Sequence, residues 1–119
     1  MKPVLQAQAA ECGLACLAMV ANHHGQGCDL GELRGRFGLS LKGANLGRLV
    51  EIARDMDLLA RPLRLELAEL SRLRTPCLLH WDLNHFVVLV RVRGRKVRLV
   101  DPALGERELD LDALSPHFT

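Results

Sequence analysis

The sequence predicts an α+β fold in which N-terminal helices pack on a C-terminal antiparallel sheet, and three observations carry that expectation. Apolar residues recur at helical spacing through the first half of the chain. The period changes from Leu58 onward, and the two longest apolar runs of the second half, "TPCLLHW" and "HFVVLVRV", have the composition of strands. Helices first and strands afterwards is the segregated order of the α+β class. With 119 residues, 49% hydrophobic and 25% charged, the chain makes one domain able to bury a single core with a cleft on it.

Each element has a local reason. Leu14, Leu17, Ala18 and Ala21 follow Cys12 at helical spacing, and "NHHG" ends the first helix with Gly25 as its C-terminal cap. Asp29 followed by Glu32 has the form of a capping box, opening a short helix that "GRFG" closes. Leu46, Leu49, Val50, Ala53 and Met56 mark a third helix with its N-terminus near Asn45. "LARPL" reads as a short strand whose Pro62 suits an edge, and "ELAELSRL" as a small helix. After the two apolar strands, "RGRK" turns the chain back into "KVRLVD", which stops at Asp101 and Pro102. "GERELDLDAL" supplies a last strand and a helical turn. No repeat, low-complexity tract or Ser/Gly linker divides the chain.

Composition removes several function classes. A formal charge of +2, with one Trp, three Phe and no Tyr, offers neither the field nor the stacking platforms of a nucleic-acid binder. No apolar run approaches the roughly 18 residues that span a bilayer, and the start lacks the order of a signal peptide, so a soluble domain is expected. Without an export signal, Cys12, Cys16, Cys28 and Cys77 are expected as free thiols in a reducing compartment.

The stretch "QAQAAECGLAC" at residues 6–16 is unusual for an apolar helix start, since it carries Gln6, Glu11 and two cysteines. Cys12 falls in the first turn, where unpaired amides and the helix dipole favour an anion and hence a thiolate. Cys16, one turn further on, falls within the apolar periodicity and reads as core. His85 begins one strand and Asp101 ends the strand that returns from it, so the pair can meet across the hairpin. Side chains alternate faces, and the two residues share one only if the hairpin loop has an odd count or a bulge intervenes. A three-residue loop over Arg93, Gly94 and Arg95 satisfies this; a plain two-residue turn does not. The result is the Cys-His-Asp pattern of papain-like peptidases, with the Cys12 sulfur expected within roughly 4 Å of a His85 ring nitrogen.

Four segments together carry a resemblance: "LQAQAAECGLACLAMVANHHG", "LKGANLGRLVEIARDMDL", "PCLLHWDLNHFVVLV" and "VRLVDPALGER". They cover nearly the whole chain and resemble the N-terminal peptidase domain of bacteriocin-exporting ABC transporters, the double-glycine leader peptidases. That resemblance implies a papain-like cysteine peptidase fold over residues 1–119, excised from a longer transporter. It implies Cys12 as nucleophile, His85 as general base and acid, Asp101 as the residue that orients the histidine, and Gln6 as the oxyanion-hole side chain. It implies a substrate as well, the leader peptide of a bacteriocin or similar secreted precursor, cut after Gly-Gly or Gly-Ala. The expected partners are that leader and the transmembrane and ATP-binding regions of the same transporter, at the cytoplasmic side of the bacterial inner membrane. No cofactor and no metal enters this chemistry.

Competing readings attach to some of the same residues. Cys12 and Cys16 with His23 or His24 form a weak zinc pattern. A non-catalytic, substrate-binding relative is the main alternative function, though such forms usually lose the nucleophile, and a free-standing thiol hydrolase is a third. Trp81 and Asn84 flank the histidine and could border the cleft, or Trp81 could be core. His23 and His24 read as exposed at a helix end, His80 as a strand residue, His117 as a solvated tail and "RVRGRKVR" as a solvated hairpin.

Overall fold

The chain is organised around one helix, α1 (Cys12–His23), whose residues from Cys12 to Ala21 are all buried. A helix apolar all round must be covered all round. In the computed structural model, which describes residues 1–5, 11–37, 46–58, 60, 67–81 and 85–117, the sheet covers one side of α1 and two further helices cover the other. The end of α1 follows from Gly25, whose φ of 86° lets its N–H reach the Asn22 carbonyl at 3.0 Å while the Gln26 N–H reaches Ala21 at 3.0 Å. This paired closure is the Schellman pattern expected of a glycine just past a helix.

The two covering helices are α2 (Leu30–Phe37), which begins directly after Asp29, and α3 (Leu46–Asp55). Each contributes one apolar stripe, Leu30 and Leu33 from α2 and Leu49, Ile52 and Ala53 from α3. Gly13 sets how closely α3 approaches: a Cβ there would lie 2.6 Å from Cδ2 of Leu49. The strand expected at Leu59–Leu63 lies, apart from Ala60, outside the described residues, and so does the helix start at Asn45. The small helix expected after them is a 3₁₀ helix, Leu67–Arg72.

The sheet is an antiparallel meander in the order β1 (Cys77–Trp81), β2 (His85–Arg93), β3 (Lys96–Asp101), β4 (Gly105–Asp110), followed by the single turn α4 (Leu111–Leu114). Phe86, Val88 and Val100 join α1 in one core cluster. Leu79, Trp81, Val87, Leu89, Val97 and Leu99 form a second cluster on the opposite face, closed by Leu70 and Leu114. Burial on both faces explains the near-continuous apolar run of β2.

The β2–β3 hairpin differs from the expected three-residue loop. Arg93 pairs with Lys96, leaving a two-residue turn of Gly94 and Arg95 with Gly94 at φ 60°, the position where a type II′ turn takes glycine. Parity is restored elsewhere: Leu89 pairs with Leu99 but Arg91 with Arg98, so Val90 is a one-residue bulge. The bulge returns His85 and Asp101 to a common face. A second correction concerns His117, which is not a solvated tail residue. Its N–H bonds to Leu114 at 3.0 Å, and its ring stacks on Trp81 at 5.0 Å and 9°. Trp81 is core, at 2% exposed.

Candidate active site

Three elements converge at one end of the sheet. β2 starts there with His85, β3 ends there with Asp101, and the N-terminus of α1 reaches it from the opposite face, bringing the Cys12 thiol to the backbone N–H of Phe86. The turn after β3 prepares the carboxylate. Oδ1 of Asp101 accepts the Ala103 N–H at 2.8 Å, an Asx turn around Pro102, and the same oxygen meets Nε2 of His85 at 2.8 Å. The Asp101 side chain is 5% exposed and that of His85 20%, so the carboxylate lies inside and the imidazole faces outward. With Nε2 committed to Asp101, Nδ1 is the nitrogen left to exchange a proton.

Cys12 departs from expectation. Burial raises its thiol above the usual range, and the Asp101 carboxylate adds to the rise; amide hydrogen bonds from Phe86, Gly13 and Cys12 itself act the other way. Desolvation wins because the helix that carries the thiol is enclosed on every side. Enclosure thus opposes the thiolate that the helix N-terminus favours. A direct hydrogen bond between Cys12 and His85 is absent among the described residues; the backbone amide of Phe86, next to His85 in the chain, acts on the Cys12 thiol and lowers its pKa. Contacts of this kind are often loose before substrate arrives.

Gln6 and Asn84 lie outside the described residues. Cys16 is fully buried beneath Cys12, and burial pushes its thiol well above the ordinary range, as befits core. All four cysteines are free. The zinc reading fails on length: Cys12 and His23 stand at opposite ends of a 12-residue helix, about 16 Å apart at 1.5 Å per residue. His23 and His24 are exposed, as expected, and His80 stacks on Phe86 at 5.0 Å.

Two features escaped the sequence reading. The Phe86 amide could not be found there, because a backbone donor carries no residue signature. Glu11 was visible as a charge in an apolar run, but not its role: its side chain is 5% exposed and ion-paired with Nε of Arg34 on α2. Among the described residues Glu11 and Asp101 are the two buried charged groups.

Comparison with known proteins places the chain in a family. The family model described as Peptidase C39 family matches residues 1–119. The chain is 50% identical over 118 residues to the probable microcin-H47 secretion/processing ATP-binding protein MchF of Escherichia coli, covering 98% of this chain and 17% of that protein. It is 49% identical, with the same coverage, to the colicin V secretion/processing ATP-binding protein CvaB of Escherichia coli. The chain thus spans about a sixth of the length of these curated relatives. Among solved structures, a double glycine motif protease from an AMS/PCAT transporter, in complex with the leader peptide, superposes with a TM-score of 0.90 at 35% identity, covering all of this chain and 86% of that one. The peptidase domain of Streptococcus ComA superposes at 0.88 with 23% identity, covering 99% of this chain and 92% of its own, a likeness of fold. With the family model matching along its whole length, the chain that carries this helix-borne cysteine and histidine–aspartate pair belongs to the Peptidase C39 family.

Proposed function

We propose that this domain is a cysteine endopeptidase that removes the leader of a bacteriocin-like precursor after a Gly-Gly or Gly-Ala pair, as the processing part of an ABC exporter at the cytoplasmic face of the membrane. The observation that carries the reading is the 2.8 Å His85–Asp101 hydrogen bond at the end of the sheet where the α1 N-terminus presents Cys12. His85 takes the Cys12 proton through Nδ1, and the sulfur attacks the carbonyl that follows the second small residue. The tetrahedral oxyanion is met by the Cys12 amide and by Gln6, each such donor being worth about 3 kcal/mol of barrier. His85 then gives its proton to the leaving amine, Asp101 holding the imidazole in the required tautomer. A water activated by His85 hydrolyses the thioester.

The small-residue requirement follows from a narrow cleft, which rejects a branched side chain by clash. The test uses a synthetic leader peptide ending in Gly-Gly and continuing into its cargo. The parent protein should cleave after the second glycine, Cys12→Ala should bind without cleaving, and Val at the final glycine should lower kcat/KM more than tenfold, about 1.4 kcal/mol per decade. Cleavage by Cys12→Ala, or equal rates on Gly and Val leaders, would overturn the proposal.

A further inference from the structure

Glu11 occupies the N-cap position of α1, one residue before Cys12, yet its side chain makes no capping hydrogen bond to the helix. A capping side chain ordinarily accepts from the second or third amide of its helix. Here the second amide belongs to Gly13, and the Gly13 N–H is one of the donors turned toward the Cys12 sulfur. A carboxylate that capped α1 would therefore compete for that donor and place a like charge beside the thiolate. Instead the Glu11 carboxylate, 5% exposed, is held by the guanidinium of Arg34, which at 47% exposed reaches in from α2. The hydrogen bond to Glu11 holds the guanidinium above its ordinary range.

We propose that Arg34 is a positioning residue that draws the Glu11 carboxylate off the N-terminus of α1 and so reserves the Cys12 and Gly13 amides for the anion formed at Cys12. The role rests on the peptidase reading and adds to it the means by which a buried carboxylate is tolerated beside the nucleophile. Neither residue touches the reacting atoms. Among the described residues, the other charged or titratable groups around the site are His85 and Asp101 from the sheet, Cys16 one turn along α1 and Asp29 beside Arg34; α3 presents the apolar Leu49.

The experiment measures the pH profile of Cys12 alkylation by iodoacetamide, resolved from the other cysteines by peptide mass, together with kcat and KM on the leader peptide. Arg34→Gln removes this ion pair and the force that draws the carboxylate toward α2; a like charge brought within about 4–6 Å of the thiol raises its pKa by a unit or more, so alkylation at pH 7 should slow about tenfold. In the same variant kcat should fall by a similar factor with KM within about twofold, the split expected of an interaction made at the transition state. Arg34→Lys, which keeps the charge, should regain most of the loss. Glu11→Gln combined with Arg34→Gln should return alkylation to within about threefold of the parent, since no charge is left to intrude. A double variant as slow as the single one, or a single variant with the parent's profile, overturns the role. Should Arg34→Gln fail to fold by circular dichroism, the double variant and Arg34→Lys decide alone by the same limits. Alkylation needs no leader peptide, so an altered profile in a protein that cuts no leader would refute the peptidase reading and leave the ion-pair role standing.

Discussion

Gly13→Ala tests whether packing at the α1–α3 contact sets the position of the nucleophile. A Cβ on residue 13 would sit 2.6 and 2.8 Å from the two methyls of Leu49 and 3.2 Å from its Cγ. Carbon pairs prefer about 3.5–4.0 Å, so the overlap is roughly 1 Å and cannot be cleared by turning the methyls alone. Leu49 is 2% exposed, so any shift that clears the overlap moves its methyls against other core side chains. Overpacking of this kind costs about 1–3 kcal/mol, against which alanine's better helix propensity returns at most about 1 kcal/mol, leaving a net loss of up to about 2 kcal/mol. Leu49→Ala alone should cost about 2–5 kcal/mol as a cavity mutation. The two together should cost less than their sum by about 1 kcal/mol or more, because the new methyl enters the space vacated by Leu49. Urea unfolding followed by circular dichroism gives all four corners of the cycle. Energies additive to within about 0.5 kcal/mol would refute the close-approach argument. On the same reasoning the single variant, with Cys12 displaced by a fraction of an ångström, should lose about ten- to a hundredfold in kcat/KM.

Asp101→Asn should cost only about tenfold in kcat, because the Ala103 N–H at 2.8 Å fixes an oxygen at the Oδ1 position and that oxygen can still accept from Nε2. Asp101→Ala, which frees the tautomer, should lose about a hundredfold or more; equal losses in the two variants would show that charge rather than orientation is the contribution. Cys77 makes an alkaline prediction. Burial pushes its thiol from 9.0 to about 11, so the folded state favours the neutral form. That stabilisation is complete below pH 9 and is lost as pH rises through 11, the loss reaching about 2 kcal/mol at pH 11. The chain has no tyrosine, and the other groups that titrate in this window, three lysines and the thiols of Cys12, Cys16 and Cys28, are common to the parent and the variant and cancel in the difference between them. Cys77→Ala should therefore flatten the fall of unfolding free energy between pH 9 and 11, and an unchanged slope would count against the assignment.

Much of the fold could be read from residue order because local signals agreed with tertiary demand. The Cys12–Ala21 run and the strand from His85 had to be buried, and Gly25 had to end the helix it ends. What escaped was arithmetic and enclosure. The hairpin's parity could be met by a loop or by a bulge, and no residue type at Val90 announces which. At Cys12 the helix N-terminus lowers a thiol's pKa while enclosure raises it, and residue order shows only the first, because enclosure depends on α2, α3 and the sheet together. His117 looked like a tail residue because only the folded turn after α4 brings it onto Trp81. Of the candidate site, His85 and Asp101 meet as expected, the Cys12 thiol feels the Phe86 amide beside His85 without a hydrogen bond to the imidazole among the described residues, and Gln6 lies outside the described residues.

The bulge at Val90 divides the β2–β3 hairpin into two stretches that can change by different rules. Between His85 and the bulge, or between its partners and Asp101, adding one residue to one strand would turn the carboxylate or the imidazole away from the other. Beyond the bulge, adding two residues to each strand would lengthen the arm by about 7 Å and leave the site as it is. The outer arm, with Arg91, Arg93, Lys96 and Arg98 exposed along it, is thus a part of the molecule whose reach and charge can be altered while the chemistry at the other end of the same strands stays in register.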